Sequence, residues 1–287
     1  MRVLYDCDNT LGLPRREIDD GLTMLYLLGR PDIELAGVTT TFGNGPIDAV
    51  YPQTVRMLRD LGRDDIPVFL GAGVRGQSPT EAAHFLAATA AAHPGEMTLL
   101  ATGPLGNLHA AAQLDPAFFR NLKQIACMGG YLHPLRIGWR DLPELNLSAD
   151  PEAAHSVLNA PCPVTLMNAH VCLQAPFGRR ELRRARFWSR ALRRVARTWR
   201  WLFGLYCGVT VFYLWDLLPA VYLSHPELFD ENPAAINSTV ADLETGTLVL
   251  SAAGDGAPVN LPTRILDRER FMAVLFEAWQ RAPEWSG

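Results

Sequence analysis

Arg2-Val3-Leu4-Tyr5-Asp6-Cys7-Asp8 opens the chain, and Asp19-Asp20-Gly21-Leu22-Thr23-Met24-Leu25-Tyr26-Leu27-Leu28-Gly29 follows a short interval later. The first stretch is apolar until it ends in acids. That is how a parallel strand buried on both faces reads, and its carboxyl end is where open α/β sheets bind their ligands. The second stretch is a compact apolar helix closed by glycine. Together they place four carboxylates, Asp6, Asp8, Asp19 and Asp20, at one sheet edge. Like charges held close raise one another's pKa unless a cation neutralises them. A hard divalent metal with oxygen ligands is the simplest such cation.

Outward from this start, strand-like and helix-like runs alternate. Strands are expected at 35–41, 68–70, 97–101, 124–128 and 164–167, and helices at 49–61, 80–93, 105–114 and 151–158. This alternation predicts an α/β fold, a single open, mostly parallel sheet with helices on both faces. Turn signals at 243–246 and 254–256 predict a small C-terminal hairpin within 238–281, followed by a closing helix. No internal repeat or linker interrupts the pattern, so residues 1–287 are expected to form one domain. From Arg179 to Tyr206 the texture changes, with ten arginines among Leu, Trp, Phe and Ala. Leu182, Ala185, Trp188, Leu192, Val195 and Trp199 recur near helical spacing, which predicts a long helix with a solvated basic face. The alternative is a surface for an anionic partner.

The bulk numbers narrow the function. With 287 residues and 48% hydrophobic content, the chain can bury a sizeable core. A net charge of −4 argues against wholesale nucleic-acid binding. The five cysteines are odd in number and show no CxxC spacing, which suits reduced, buried thiols in a cytoplasmic protein. The chain opens on a strand, so no signal peptide is expected, and no apolar run is long enough for a membrane span.

Two families compete for the opening motif. Read alone, Asp6-Cys7-Asp8-Asn9-Thr10 resembles the DxDxT strand end of haloacid-dehalogenase-like phosphatases. That resemblance would make Asp6 a phosphoryl acceptor assisted by magnesium. The later phosphatase elements fit poorly, because the strand after Lys123 ends in Met128-Gly129-Gly130, without the acid that would help hold magnesium. Read with the rest of the chain, the sequence resembles the inosine/uridine-preferring nucleoside hydrolases, whose opening is DxDPGxDD. The resemblance continues in order through Pro31–Thr40 to Phe42-Gly43-Asn44, Leu99–Leu108, Cys127–Gly130, Glu144-Leu145-Asn146, Asp150–Ala154 and Trp215–Ala220. It covers most of the chain.

That resemblance implies calcium-dependent hydrolysis of the N-glycosidic bond of ribonucleosides, giving ribose and free base. It implies that Asp8 binds calcium and takes a proton from the attacking water. Asp20 and Asp216 would be further calcium ligands, together with the backbone carbonyl of Thr102. Asp19, Asn44, Glu144 and Asn146 would hold the ribose hydroxyls, and Asp6 would support the first loop. A site that hydrogen-bonds hydroxyls rejects substrates that lack them, so ribonucleosides are expected over deoxyribonucleosides. The resemblance also implies a homodimer or homotetramer.

Three departures from the family pattern stand out. Ten residues, Asn9 to Ile18, stretch the opening motif and carry Arg15, Arg16 and Glu17, a loop that either reaches over the site and reshapes the pocket or bulges into solvent. Trp215 stands where many members have a histidine that helps protonate the leaving base. Indole is no acid, but it can stack on a base. Finally, Asn168-Ala169-His170 replaces a different family stretch, and His170 is a candidate cavity residue. A protein that kept the pocket but lost acid catalysis at Trp215, and so only binds nucleosides, is a further alternative.

Overall fold

The computed structural model describes residues 1–287. Strands β1 (Arg2–Cys7), β2 (Glu34–Thr40), β3 (Val68–Phe69), β4 (Met97–Ala101) and β5 (Gln124–Met128) lie in an eight-stranded sheet with strands Val164–Met167, Ala257–Asn260 and Pro233–Ile236. Across the sheet the order is Pro233–Ile236, Ala257–Asn260, Val164–Met167, β5, β4, β1, β2, β3. Every neighbouring pair is parallel except the outermost, where Pro233–Ile236 runs antiparallel to Ala257–Asn260. The α/β class and the mostly parallel sheet are as the alternation predicts.

β1 shows why the sequence folds this way. Val3, Tyr5 and Cys7 enter one core cluster and Leu4 enters the other, so the strand is buried on both faces. The first cluster lies under helices Asp19–Leu28, Arg190–Cys207, Leu217–Ser224 and Arg268–Arg281; the second lies under Glu81–Ala92, Gly106–Leu114 and Pro151–Leu158. Each fully buried aliphatic or aromatic side chain contributes about 1.5–3 kcal/mol. The parallel register brings Asp6 opposite Thr39 of β2 and Ala101 of β4. The loops beginning at Asp8, Thr41 and Thr102 therefore leave from the same edge.

Two expectations need correction. The basic stretch is two helices, Arg179–Arg184 and Arg190–Cys207. Ser189 ends any continuity by capping the second helix, its Oγ accepting from the Leu192 N–H at 3.0 Å. Trp188 turns inward at the break and stacks on Phe177, ring centroids 5.5 Å apart. The C-terminal hairpin starts earlier than the turn signals suggest, with arms at Pro233–Ile236 and Ala257–Asn260, and it joins the main sheet at its edge. The turns at 243–246 and 254–256 lie inside its long connection, which holds the short helix Val240–Leu243. All five cysteines are free and buried. No helix is long and apolar enough to cross a membrane.

Candidate active site

Five segments meet at the carboxyl edge of the sheet. Asp8 follows β1. Asp19 and Asp20 occupy the first turn of helix Asp19–Leu28, and Asp216 caps helix Leu217–Ser224, positions where the partial positive charge of a helix start favours acids. Asn44 comes from the loop after β2, and Thr102 follows β4. One carboxylate oxygen from each of Asp19, Asp20 and Asp216 lies within 4.8 Å of the others, and all three residues are buried.

Hydrogen bonds fix this arrangement. The Asn44 backbone N–H donates to Asp8 Oδ2 at 2.5 Å. The Asn44 side-chain amide lies 3.2 Å from both Asp8 Oδ1 and Asp20 Oδ2, bridging the two acids. Thr102 Oγ1 donates to Asp20 Oδ1 at 2.8 Å, and the Tyr5 hydroxyl reaches the same oxygen at 3.2 Å. Asp19 accepts the Asp216 N–H on Oδ2 at 3.3 Å, while its Oδ1 has no partner. Gly43 has a φ of 149°, and a Cβ there would meet Asp8 Oδ2 at 2.0 Å, so only glycine lets this loop close on the acid.

The electrostatics follow from burial. Asp8 and Asp216 are held well above the ordinary carboxylate range, first by desolvation and then by neighbouring acids, Asp20 for Asp8 and Asp19 for Asp216. Desolvation and Asp20 push Asp19 up to about 7. Such a cluster is costly as an anion and is relieved by a cation. Buried carboxylate oxygens, one of them without a donor, are the donor set a hard divalent ion takes. The residues present fit a metal site.

Asp6 plays another part. It is fully buried, accepts from Thr39 Oγ1 at 2.5 Å and from Asn107 Nδ2 at 2.8 Å, and does not line the cavity. A phosphoryl-accepting nucleophile must face its substrate, and this carboxylate is instead committed to Thr39 and Asn107.

A cavity of about 250 Å³ opens beside the acids, near the lower end of small-molecule sites, which run from about 300 to 1,000 Å³. Of the residues singled out from sequence, Asp19, Asn44, Thr102, Glu144, Asn146, Trp215 and Asp216 line it. Asp8 and Asp20 stand behind them, tied to Asn44. Glu144 also organises its own loop, Oε1 accepting the N–H groups of Gly130, Asn146 and Leu147 at 3.0 Å. Asn146 Nδ2 donates to the Thr102 carbonyl at 2.9 Å and to the Met128 carbonyl at 3.0 Å, so the Thr102 carbonyl already has a partner. His170 does not line the cavity: its ring packs on His133 at 3.9 Å between centroids, with Nε2 on the His133 carbonyl.

Two features give residues to what the sequence offered only as alternatives, a loop over the site and a helix near its mouth. Glu17, in the stretched loop, lines the cavity, as does Trp215. Arg16 anchors that loop by donating to the Asn44 carbonyl at 2.7 Å. Helix Arg190–Cys207 supplies Trp199, Phe203 and Tyr206 as an aromatic wall. A loop's path carries no periodicity, so the inserted loop was legible as a pocket element only as one of two alternatives; of the aromatic wall, Trp199 and Phe203 were readable as helical spacing but not as cavity lining.

The chain matches the family model described as inosine-uridine preferring nucleoside hydrolase over residues 3–273. It is 27% identical to an uncharacterized protein of Schizosaccharomyces pombe, over 99% of this chain and 100% of that one. It is 29% identical to the pyrimidine-specific ribonucleoside hydrolase RihA of Citrobacter koseri, over 60% of this chain and 61% of that protein. Among solved structures, a purine-preferring ribonucleoside hydrolase from Gardnerella vaginalis superposes with a TM-score of 0.86, at 19% identity and covering 99% of both chains.

Proposed function

Since the chain belongs to the inosine-uridine preferring nucleoside hydrolase family, and so is an N-glycosidic hydrolase of nucleosides, we propose that calcium is its metal and Asp8 its general base. The convergence of Asp19, Asp20 and Asp216 from distant parts of the chain into one buried cluster beside a nucleoside-sized cavity carries the reading. Calcium favours several oxygen ligands in a flexible arrangement, and this cluster is all oxygen. Asp8, Asp20 and Asp216 would hold the ion, with the Thr102 carbonyl available once Asn146 shifts. When bound, the ion supplies the positive charge that makes a nearby water acidic enough to attack.

The chain's own residues do the rest. Asp8, buried beside the proposed ion, is the carboxylate proposed to accept the proton of the attacking water. Asn44 fixes its direction through two bonds. The bond between C1′ and the base nitrogen breaks through an oxocarbenium-like transition state. The surrounding carboxylates are buried, and negative charge fixed there stabilises that developing cation. Asp19, with an oxygen free, and Asn44, Glu144 and Asn146 on the cavity wall are the groups proposed to hold the ribose hydroxyls. A homodimer or homotetramer remains part of the proposal, supported by the exposed Trp139, Trp201 and Leu205.

The test is release of reducing sugar from a panel of purine and pyrimidine ribonucleosides, with and without a chelator, by the protein and by Asp8→Ala. Activity that needs calcium and falls by at least about a thousandfold in the variant supports the assignment. Full activity in Asp8→Ala removes Asp8 as the base, and activity indifferent to chelation removes the ion.

A further inference from the structure

Ten arginines and a single acid, Glu181, stand between Arg179 and Arg200 in a chain whose net charge is −4. Elsewhere arginines find acids, as Arg30 does in Asp32, Arg63 in Asp65 and Arg75 in Glu244. None of these ten forms an ion pair. Glu181 is taken up within its own turn, Oε2 accepting the Gly178 N–H at 2.8 Å. Arg200 donates to the Thr210 carbonyl at 3.1 Å, and Arg184 lies over the Phe276 ring at 4.5 Å. Eight of the ten are exposed. Like charges three and four residues apart, as on Arg190, Arg194 and Arg197, weaken a helix by repulsion. An unpaired field of one sign is a cost to the free protein that an anionic partner removes.

Helix Arg190–Cys207 shows which partner fits. Its buried side holds Leu192, Ala196, Phe203 and Cys207. Arg190, Arg194, Arg197, Trp201 and Leu205 are all exposed and follow one another at three- and four-residue steps, the spacing that aligns side chains in one stripe. The stripe is basic in its first half and apolar in its second, with Trp201 57% and Leu205 58% exposed. Trp199 and Phe203, which line the cavity, are not on it. Arginines beside outward Trp and Leu, on a helix lying along the surface, are the composition that rests in a lipid interface.

We propose that this stripe docks the protein on an anionic membrane surface, without crossing it. The arginines take the charged headgroups, and Trp201 and Leu205 enter the boundary between headgroups and acyl chains. Two other occupants fit less well. A single-stranded nucleic acid stacks its bases on flat rings, whereas Leu205 is aliphatic and offers none. A two-fold contact sets a patch against its own copy, so a second chain seated on this stripe would bring arginine against arginine. With lipid on Trp201 and Leu205, the oligomer proposed above draws on Trp139.

The test is co-sedimentation of the full chain with vesicles of phosphatidylcholine alone and of phosphatidylcholine mixed with phosphatidylserine. The expected result is affinity at least about tenfold higher for the mixed vesicles, falling as salt screens the ionic part. Arg190→Gln, Arg194→Gln and Arg197→Gln together should lower it at least about tenfold. Trp201→Ser with Leu205→Ser should lower it several-fold and remove what binding survives at high salt. Thermal melting checks the fold of each variant. Equal affinity for the two vesicles, or none for either, overturns the inference without any variant. Undiminished binding by the folded triple arginine variant overturns it as well. So does binding to a single-stranded RNA oligomer but not to vesicles, which gives the stripe to nucleic acid. A dimer that dissociates in Trp201→Ser with Leu205→Ser, in a protein that ignores vesicles, gives it to a second copy and overturns the inference too.

Discussion

The backbone N–H of Asp216 donates to Asp19 Oδ2 at 3.3 Å, although 197 positions separate them in sequence. The bond joins the starts of two helices, Asp19–Leu28 and Leu217–Ser224, whose partial positive charges both favour acids there. That local help is smaller than the cost of burial, since both carboxyls are held above the ordinary range mainly by desolvation. The site is thus built at a cost to the metal-free protein that a bound cation offsets.

Asp216→Asn separates those two effects. It removes one of three clustered carboxylates, so calcium affinity measured by calorimetry should fall about a hundredfold or more, of the order seen when metal-site contacts are lost. The metal-free variant should nonetheless melt higher than the metal-free parent near pH 8, because one buried anion is gone. An unchanged calcium affinity would show that the ion is held elsewhere.

Asn44→Ala tests positioning. The side-chain amide bridges Asp8 and Asp20, while the backbone N–H to Asp8 survives the substitution. Loss of two hydrogen bonds to carboxylates costs about 1.5–3 kcal/mol each where the acids are charged. The expected outcome is a kcat fall of about 10- to 100-fold. Asn44→Asp, which sets a third carboxylate against the pair, should fall further and bind calcium differently. Equal activity in Asn44→Ala and the parent would remove Asn44 from the site.

Most of the frame was legible because it rests on local rules. Strand β1 reads as buried on both faces, and Gly29 directly follows the first helix, where a glycine stop was expected. Asp216 could be placed beside Asp19 only through the family resemblance, since no local rule brings residue 216 to residue 19. The break at Ser189 was missed because a serine within an arginine-rich run reads equally as a surface position or as a cap. Whether the loop carrying Glu17 reaches the site or bulges into solvent was not decidable from sequence, because the Asn9–Ile18 path is set by tertiary contacts, such as the bonds from Arg16 to Asn44 and from Thr10 Oγ1 to the Glu17 carbonyl at 2.8 Å.

Asp6 gives the pH dependence. Its carboxyl is pushed up to about 7 from an ordinary 3.8, chiefly by burial, so it keeps its proton in the folded state over a range where the unfolded chain has lost it. Its contribution to stability is complete below about pH 4 and is lost as pH rises through about 7. Asp19 moves the same way over the same window. In chelator, the melting temperature should therefore fall between pH 5 and pH 8. Asp6→Asn should flatten part of that fall, by at most about 4 kcal/mol, and leave the part due to Asp19. Superimposable melting curves for parent and variant across this range would show that Asp6 does not titrate there.

Gly208→Ala probes how the aromatic wall is held. Gly208 closes helix Arg190–Cys207 with φ 77° and ψ 30°, its N–H bonding to the Gly204 carbonyl at 2.8 Å. A Cβ there would lie 2.3 Å from the Trp139 ring. Trp139 Nε1 in turn donates to the Tyr206 carbonyl at 3.0 Å, and the Arg140 guanidinium sits over the Tyr206 ring at 4.7 Å. The left-handed conformation alone costs a non-glycine residue about 1–2 kcal/mol, and the displaced indole adds to it. Because Tyr206 lines the cavity and the acids sit on other elements, KM should rise several-fold while kcat stays within about twofold. The melting temperature should drop by several degrees. Trp139→Ala added to Gly208→Ala makes room for the methyl group, so the double variant should lose less stability than the sum of the two single changes, as expected for residues in contact. Strict additivity would mean that the clash with Trp139 is not what the substitution costs, leaving the backbone conformation as its whole effect.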